Sequence, residues 1–190
     1  HVLQELEFTS LVRRLPEVMQ VSGSEEKAAI KQSGLKSSPL NVLTHAKELE
    51  DDDKPNTYFA LAHYADSHKK EITHLALADE HGKGSIISAG LLNTPDVQQK
   101  LKRLQGQVVT YDAKALIKHV WHWGADMAEP RDVLIAAFLL NSLTRDQSIA
   151  GLAREWLDLE IEAEERDELE TLRLEMAVLQ KLYNLFKREL

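Results

Sequence analysis

The sequence predicts an α/β domain: a mixed sheet with helices packed on it. Three observations lead there. Between residues 58 and 88, three short alternating or β-branched segments follow one another, separated by turn residues. The stretch Val108 to Asn141 reads strand, helix, turn, helix. The last third of the chain carries apolar stripes at helical spacing.

In chain order, Leu3, Leu6, Leu11, Val12 and Leu15 suggest a short helix that Pro16 ends. Val21 to Pro39 is rich in Ser, Gly and Lys and reads as an interdomain linker. Asn41 to Leu49 is expected to form a short helix with Val42, Leu43 and Ala46 on one side, and Glu50 to Asp53 with Pro55 a turn. Tyr58 to Tyr64, Ile72 to Ala78 and Ser85 to Ser88 are expected as three antiparallel strands, with Gly82 and Gly84 in the turn before the third. Pro95 and Asp96 open a helix to about Leu104.

Val108 to Tyr111 follows Gly106 and reads as a buried strand closed by Asp112. Ala113, Leu116, Ile117, Val120 and Trp121 then recur at three- and four-residue spacing, with Gly124 a fitting helix stop. Pro130 and Asp132 start the next helix, whose run Val133 to Leu140 is apolar on nearly every side and is expected deep in a core. Arg145 to Leu157 supplies another helix through Ile149, Leu152, Ala153, Trp156 and Leu157. The last helix runs to Leu190, with Leu169, Leu172, Met176, Leu179, Leu182, Tyr183 and Phe186 in one stripe.

Two segments carry a family resemblance. Asp112 to Leu116, D-A-K-A-L, stands where one family has N-x-K-Y/F-D, and Arg131 to Asn141, RDVLIAAFLLN, looks like that family's F-D-x-x-L-A-x-Y-L-L-N helix. The family is the 3′-5′ exonuclease domain of bacterial family A DNA polymerases (DNA polymerase I), in a degenerate form. The resemblance covers residues 41–190 as the exonuclease-like domain, and Leu3 to Leu15 resembles the end of a 5′-nuclease region, so that residues 1–40 would be that end and the linker. It implies a ribonuclease H-like (DnaQ-like) fold and a parent protein that synthesises DNA by nucleotidyl transfer in replication and repair.

In proofreading relatives of that kind, acids from three motifs hold two divalent ions that act on the terminal phosphodiester. The first motif, D-x-E, would fall on Ala60 and Ala62; the second would place its Asp at Leu116. The third, Y-x-x-x-D, would fall on Glu170 to Leu174 and end on Leu174. Alanine and leucine cannot ligate magnesium. The expectation is therefore a non-catalytic domain with no catalytic residue, no metal and no cofactor of its own, Mg2+ belonging to the parent polymerase. Its partners would be the adjacent polymerase and 5′-nuclease domains of the same chain, with DNA reached through the parent. The alternative is an active metal-dependent 3′-5′ proofreading exonuclease with relocated acids: Asp66, Asp112 or Asp132 meeting a carboxylate between Asp158 and Glu175. A third reading is an interaction module whose acidic C-terminal helix meets a basic partner.

Composition limits the other classes. The 190 residues, 43% hydrophobic, suffice for one sizeable core. No run is long enough to cross a bilayer, and the absence of cysteine excludes disulfides, thiolate metal sites and a cysteine nucleophile. A cytoplasmic location fits that usage. There is no secretory leader, and a chain beginning at His1 is expected to be a piece of a longer protein. A net charge of -8 argues against tight autonomous DNA binding, since phosphate neutralisation by Lys and Arg dominates that affinity. The basic groups Lys100, Lys102 and Arg103, and Lys114 and Lys118, read as solvated helix faces.

The remaining candidates receive structural readings. Asp132 is expected as a helix N-cap and Asp112 as a strand-end or cap residue. The acids of Asp158 to Glu170 suit the start of a helix. His119 and His122 lie three apart on a helix without a third ligand at a telling spacing. His63, His68, His74 and His81 are scattered over strands and turns and read as structural or exposed. Trp121 and Trp123 are expected to be packing residues rather than base-stacking platforms. No phosphate-cradling glycine loop and no nucleophile elbow occurs.

Overall fold

The computed structural model describes residues 35–49, 57–66, 68, 71–102, 107–122, 129–161 and 167–190. The expected helix at Val2 to Leu15, most of the linker, the turn at Glu50 to Pro55, Gly106, Gly124, Arg103 and Trp123 lie outside them. Among the described residues, six strands form one mixed sheet: β1 (Leu40–Val42), β2 (Thr57–Tyr64), β3 (Ile72–Ala78), β4 (Gly84–Ser88), β5 (Gln107–Thr110) and β6 (Arg131–Asp132). Their spatial order is β1-β4-β3-β2-β5-β6. The central meander β2-β3-β4 is antiparallel, while β1 on β4, β5 on β2 and β6 on β5 are parallel.

The helices are α1 (Ala89–Leu92), α2 (Pro95–Lys102), α3 (Ala113–His122), α4 (Val133–Leu140), α5 (Ile149–Leu157) and α6 (Glu168–Glu189). They cover both faces of the sheet, as the alternation of the strands requires. Phe59, Leu61, Ala76, Ala78, Ile86 and Val109 point to one face, where α6 and α5 supply Leu172, Met176, Leu179, Leu182, Phe186 and Leu152. Ala60, Leu75, Leu77, Ile87 and Val108 point to the other, against Leu92, Val97, Leu101, Leu116 and Val120. This is the ribonuclease H-like, DnaQ-like exonuclease fold. Edge-to-face rings, Phe59 on Tyr183 at 5.5 Å and Trp156 on Phe186 at 5.1 Å, tie α6 to the sheet and to α5.

The turn between β3 and β4 shows why glycine is needed there. Asp79 accepts the backbone N–H groups of His81 and Lys83 through one carboxylate oxygen, each at 2.9 Å, and Gly82 takes φ +81°. At Gly84 a Cβ would lie 1.9 Å from the carbonyl oxygen of Leu77, so only glycine lets β4 approach β3.

Two expectations about elements are corrected. Leu40 to Val42 is an edge strand, not the first turn of a helix; only Ala46–Glu48 winds, as a 3-10 turn. Pairing with β4 holds the segment extended, Leu40 opposite Gly84, its side chain joins the core on the α6 face, and a three-residue strand has no room to show its own periodicity. Nor does α4 sit deep in a core. Val133 and Ala137 are buried, one turn apart, whereas Ile135, Phe138 and Leu139 are 57%, 52% and 67% exposed. A helix at the rim of a sheet buries one stripe however apolar its other faces are.

Candidate metal centre

β2 and β3 carry apolar residues along the α6 face until their far ends, where the same alternation delivers histidine. On β2 the face runs Phe59, Leu61, His63; on β3 it runs Ala78, Ala76, His74. His63 and His74 are direct cross-strand partners, which places their Cβ atoms on one side of the sheet. The register breaks immediately beyond. Tyr64 pairs with Ile72, so Thr73 is an extra residue on β3, a bulge at the rim.

Helix α6 lies across this face antiparallel to β2. Its Tyr183 packs on Phe59 at the start of β2, and Gln180 donates to the Asp79 carbonyl at 2.9 Å, beyond the end of β3. The N-terminus of the helix thereby arrives at the histidine end, bringing Glu168 from its first turn. His63, His74 and Glu168 each offer one ligand atom, and these atoms lie within 4.8 Å of one another. The imidazoles are half-buried and the glutamate exposed. Zinc-class ions bind such atoms at about 2.0–2.2 Å, so ligands of one ion stand closer than that limit.

Thr73 orders the pair of rings. Its hydroxyl lies 2.8 Å from Nδ1 of His63 and 3.2 Å from Nδ1 of His74, and it donates to the His63 carbonyl at 3.3 Å.

The expectation of a domain without metal or cofactor, and of a purely structural role, is overturned by this group. The sequence presents His63 and His74 as structural or exposed histidines, and Glu168 as a helix-start acid or, in the alternative reading, one of the Asp158 to Glu175 carboxylates. Neither histidine announces itself in sequence, because the two are eleven residues apart with a bulge between them. Regular pairing of strands ending at Tyr64 and beginning at Ile72 sets His63 opposite Thr73; the bulge shifts it to His74.

The positions implied by the resemblance lie elsewhere. Ala60, Ala62 and Leu116 belong to the apolar cluster on the opposite face of the sheet, and Leu174 is buried on α6. Ala62 precedes His63 directly, and strand alternation sends the two to opposite faces.

The acids of the alternative reading are engaged with backbone. Asp132 accepts from Leu134 N at 2.9 Å as the N-cap of α4, and also from Asp112 N at 3.0 Å and Ala113 N at 2.8 Å. Asp112, at φ +56°, accepts from Ala115 N at 3.1 Å and starts α3. Asp66 accepts from His68 N at 2.8 Å in a turn. Among the described residues they join no group of three ligands. Among the described residues of the stretch Asp158 to Glu175, Glu168 alone enters such a group.

Glu175 ends the stretch of carboxylates on which the alternative reading draws. It lies one residue beyond Leu174, and burial pushes its carboxyl up to about 7. Burial, with the charges of Asp112, Asp132, Glu175 and Asp146 adding to it, holds the Tyr111 phenol up at about 12. Seven residues along a helix separate Glu175 from Glu168 by about 10 Å, so it stands apart from the histidines. His119 packs on the Tyr64 ring at 5.7 Å, and Trp121 is 77% exposed.

Neither a protein-family model nor a curated protein matches the chain. Solved structures do. The POL domain of Pol1 from M. smegmatis, in complex with DNA primer-template and dNTP, superposes with a TM-score of 0.58 at 19% identity, over 71% of this chain. The chain spans 24% of that protein's length. NrnC of Brucella melitensis bound to pGG superposes with a TM-score of 0.56 at 16% identity, over 78% of each chain. The same protein with bound Mg2+ gives 0.55. At these identities the likeness is one of fold. Among the described residues, no helix is long and apolar enough to cross a membrane.

Proposed function

We propose that this chain is a metal-dependent 3′-5′ exonuclease acting on nucleic-acid ends, with ligands relocated from the positions the resemblance implies. The observation that carries the reading is the His63, His74 and Glu168 group at the rim of an exonuclease-like sheet. Two imidazoles and a carboxylate are a chemically suitable donor set for a divalent ion. An ion held there would polarise a phosphodiester and activate water as the nucleophile. The chain's own contribution is orientation: the β2-β3 register sets the imidazoles side by side, and α6 delivers the carboxylate.

In the same reading, residues 41–190 form the exonuclease-like domain and residues 1–40 lead into it from a 5′-nuclease region. The motif at Arg131 to Asn141 and the likeness to a polymerase chain support placement in a bacterial DNA polymerase I context in the cytoplasm, with DNA and a polymerase domain as neighbours.

The test is hydrolysis of the 3′ end of a single-stranded oligonucleotide, with Mn2+, Zn2+ or Mg2+ added in turn. Cleavage that requires metal, stops with chelator and disappears in His74→Ala is expected. Equal cleavage by that variant, or none by the native chain with any of the ions, removes the reading.

A further inference from the structure

We propose that Thr73 is a positioning residue that readies both histidines for nitrogen coordination, so that the site takes a borderline transition ion such as Zn2+ or Co2+ in preference to Mg2+. The inference rests on the metal-site reading above and goes beyond it to the identity of the ion. It begins with proton counting at one hydroxyl. A threonine hydroxyl has one proton to donate and two lone pairs. The His63 carbonyl, 3.3 Å away, offers an acceptor for that proton, and with the proton placed there the oxygen is left to accept from His63 Nδ1 at 2.8 Å and His74 Nδ1 at 3.2 Å; this is the arrangement the proposal assigns. In that assignment both Nδ1 atoms carry the ring proton, and in the neutral rings both Nε2 atoms present bare lone pairs.

Metal-binding histidines use this arrangement, in which a hydrogen bond at one ring nitrogen fixes the tautomer and aims the other nitrogen at the ion. Here a single oxygen serves two rings. The bulge makes that possible. In regular alternation Thr73 and its neighbour His74 would point to opposite faces; as the extra residue of a bulge, Thr73 is re-aimed toward the rings.

Ion preference follows from donor type. Two imidazole nitrogens and one carboxylate suit zinc, cobalt and their neighbours, whereas magnesium demands oxygen ligands in near-ideal octahedral geometry. A carboxylate cluster makes the opposite choice.

The experiment is titration of the purified chain with Co2+, read by its visible d–d absorption, followed by competition with Zn2+ and with millimolar Mg2+. The expected result is one Co2+ per chain, displaced by Zn2+ and retained against Mg2+. Thr73→Val, close in shape but without the hydroxyl, should bind Co2+ about 10–100-fold more weakly, and Thr73→Ser should restore affinity. The thermal transition of each apo variant shows whether weaker binding reflects loss of folding. Co2+ bound by the native chain with undiminished affinity in Thr73→Val overturns the proposal while leaving the metal site in place. Displacement of Co2+ by Mg2+ at comparable concentration overturns the ion preference. Absence of Co2+ binding to the native chain overturns both the proposal and the site beneath it.

Discussion

Two polar clusters sit at the rim of the same sheet, and they use their side chains in opposite ways. At the end of β5, Asp112 and Asp132 are the carboxylates an active exonuclease reading would reach for. The two oxygens of Asp132 take three backbone N–H groups, and Asp112 takes another, so that the pair locks the starts of α3 and α4. At the paired ends of β2 and β3, His63 and His74 spend one ring nitrogen each on the same threonine, and Glu168 stands exposed beside them. Residue type alone favours the first cluster as a magnesium site. Hydrogen-bond accounting favours the second, because a lone pair already held by a backbone N–H is not available to a cation.

The sharpest way to break the contrast is to delete the histidines. His63→Ala with His74→Ala should abolish stoichiometric Co2+ binding and reduce metal-dependent cleavage at least about 100-fold, with little loss of folding stability, since half-buried rim residues contribute modestly. Substantial unfolding of this variant by urea would instead make the pair part of the scaffold. The opposite cluster should invert both results. Asp132→Ala leaves the N-terminus of α4 uncapped and orphans two further N–H groups, a cost of about 2–4 kcal/mol in urea unfolding. Its Co2+ affinity should be unchanged.

Much of the fold is legible because its signals are local. Period-two alternation marks β2 and β3, and the three- to four-residue stripe marks α3 and α6, so these elements fall where the sequence places them. The N-cap role of Asp132 is local too, since an acid directly before an apolar helical run has a chemical reason to be there. What escapes is non-local. Leu40 to Val42 becomes a strand because β4 offers it an edge, and α4 remains half exposed because it lies at a rim. The metal group is the clearest instance: it needs a bulged register between two strands and the direction of a helix more than ninety residues on. No spacing rule contains those facts.

A third carboxylate tests the contrast from a half-buried position on α6. Burial holds Glu175 at about 7 instead of its ordinary 4.5. The folded state thus prefers the neutral acid, so this group's contribution to stability is complete below about pH 4.5, is lost as pH rises toward about 7 and is flat above. The full shift corresponds to about 3 kcal/mol, and partial contact with solvent lowers the expectation to about 1–3 kcal/mol. Glu175→Gln should remove this pH dependence and make the protein more stable than the native chain at pH 8 by a similar amount. A native-like fall in stability between pH 5 and 7 in the variant would assign the titration to another group. Because Glu175 does not join the histidine group, Co2+ affinity should again stay constant.

The smallest effect is expected at Ser148, where the contrast can be examined on an exposed cap. Its hydroxyl accepts from Gly151 N at 3.0 Å, closing the first turn of α5, and donates to Asp146 at 2.7 Å. That donated bond is the main reason the Asp146 carboxyl sits below the ordinary carboxylate range. Ser148→Ala should cost about 1 kcal/mol of stability, the usual worth of a single N-cap. The Asp146 midpoint, followed by NMR through its carboxyl carbon, should rise toward the ordinary value. Both changes are confined to the turn because this polar cluster, like that of Asp132, is turned inward on its own backbone. A loss of Co2+ affinity in Ser148→Ala would show the capped corners and the histidine rim to be energetically coupled, and the division between scaffold carboxylates and metal ligands would fail at its least demanding point.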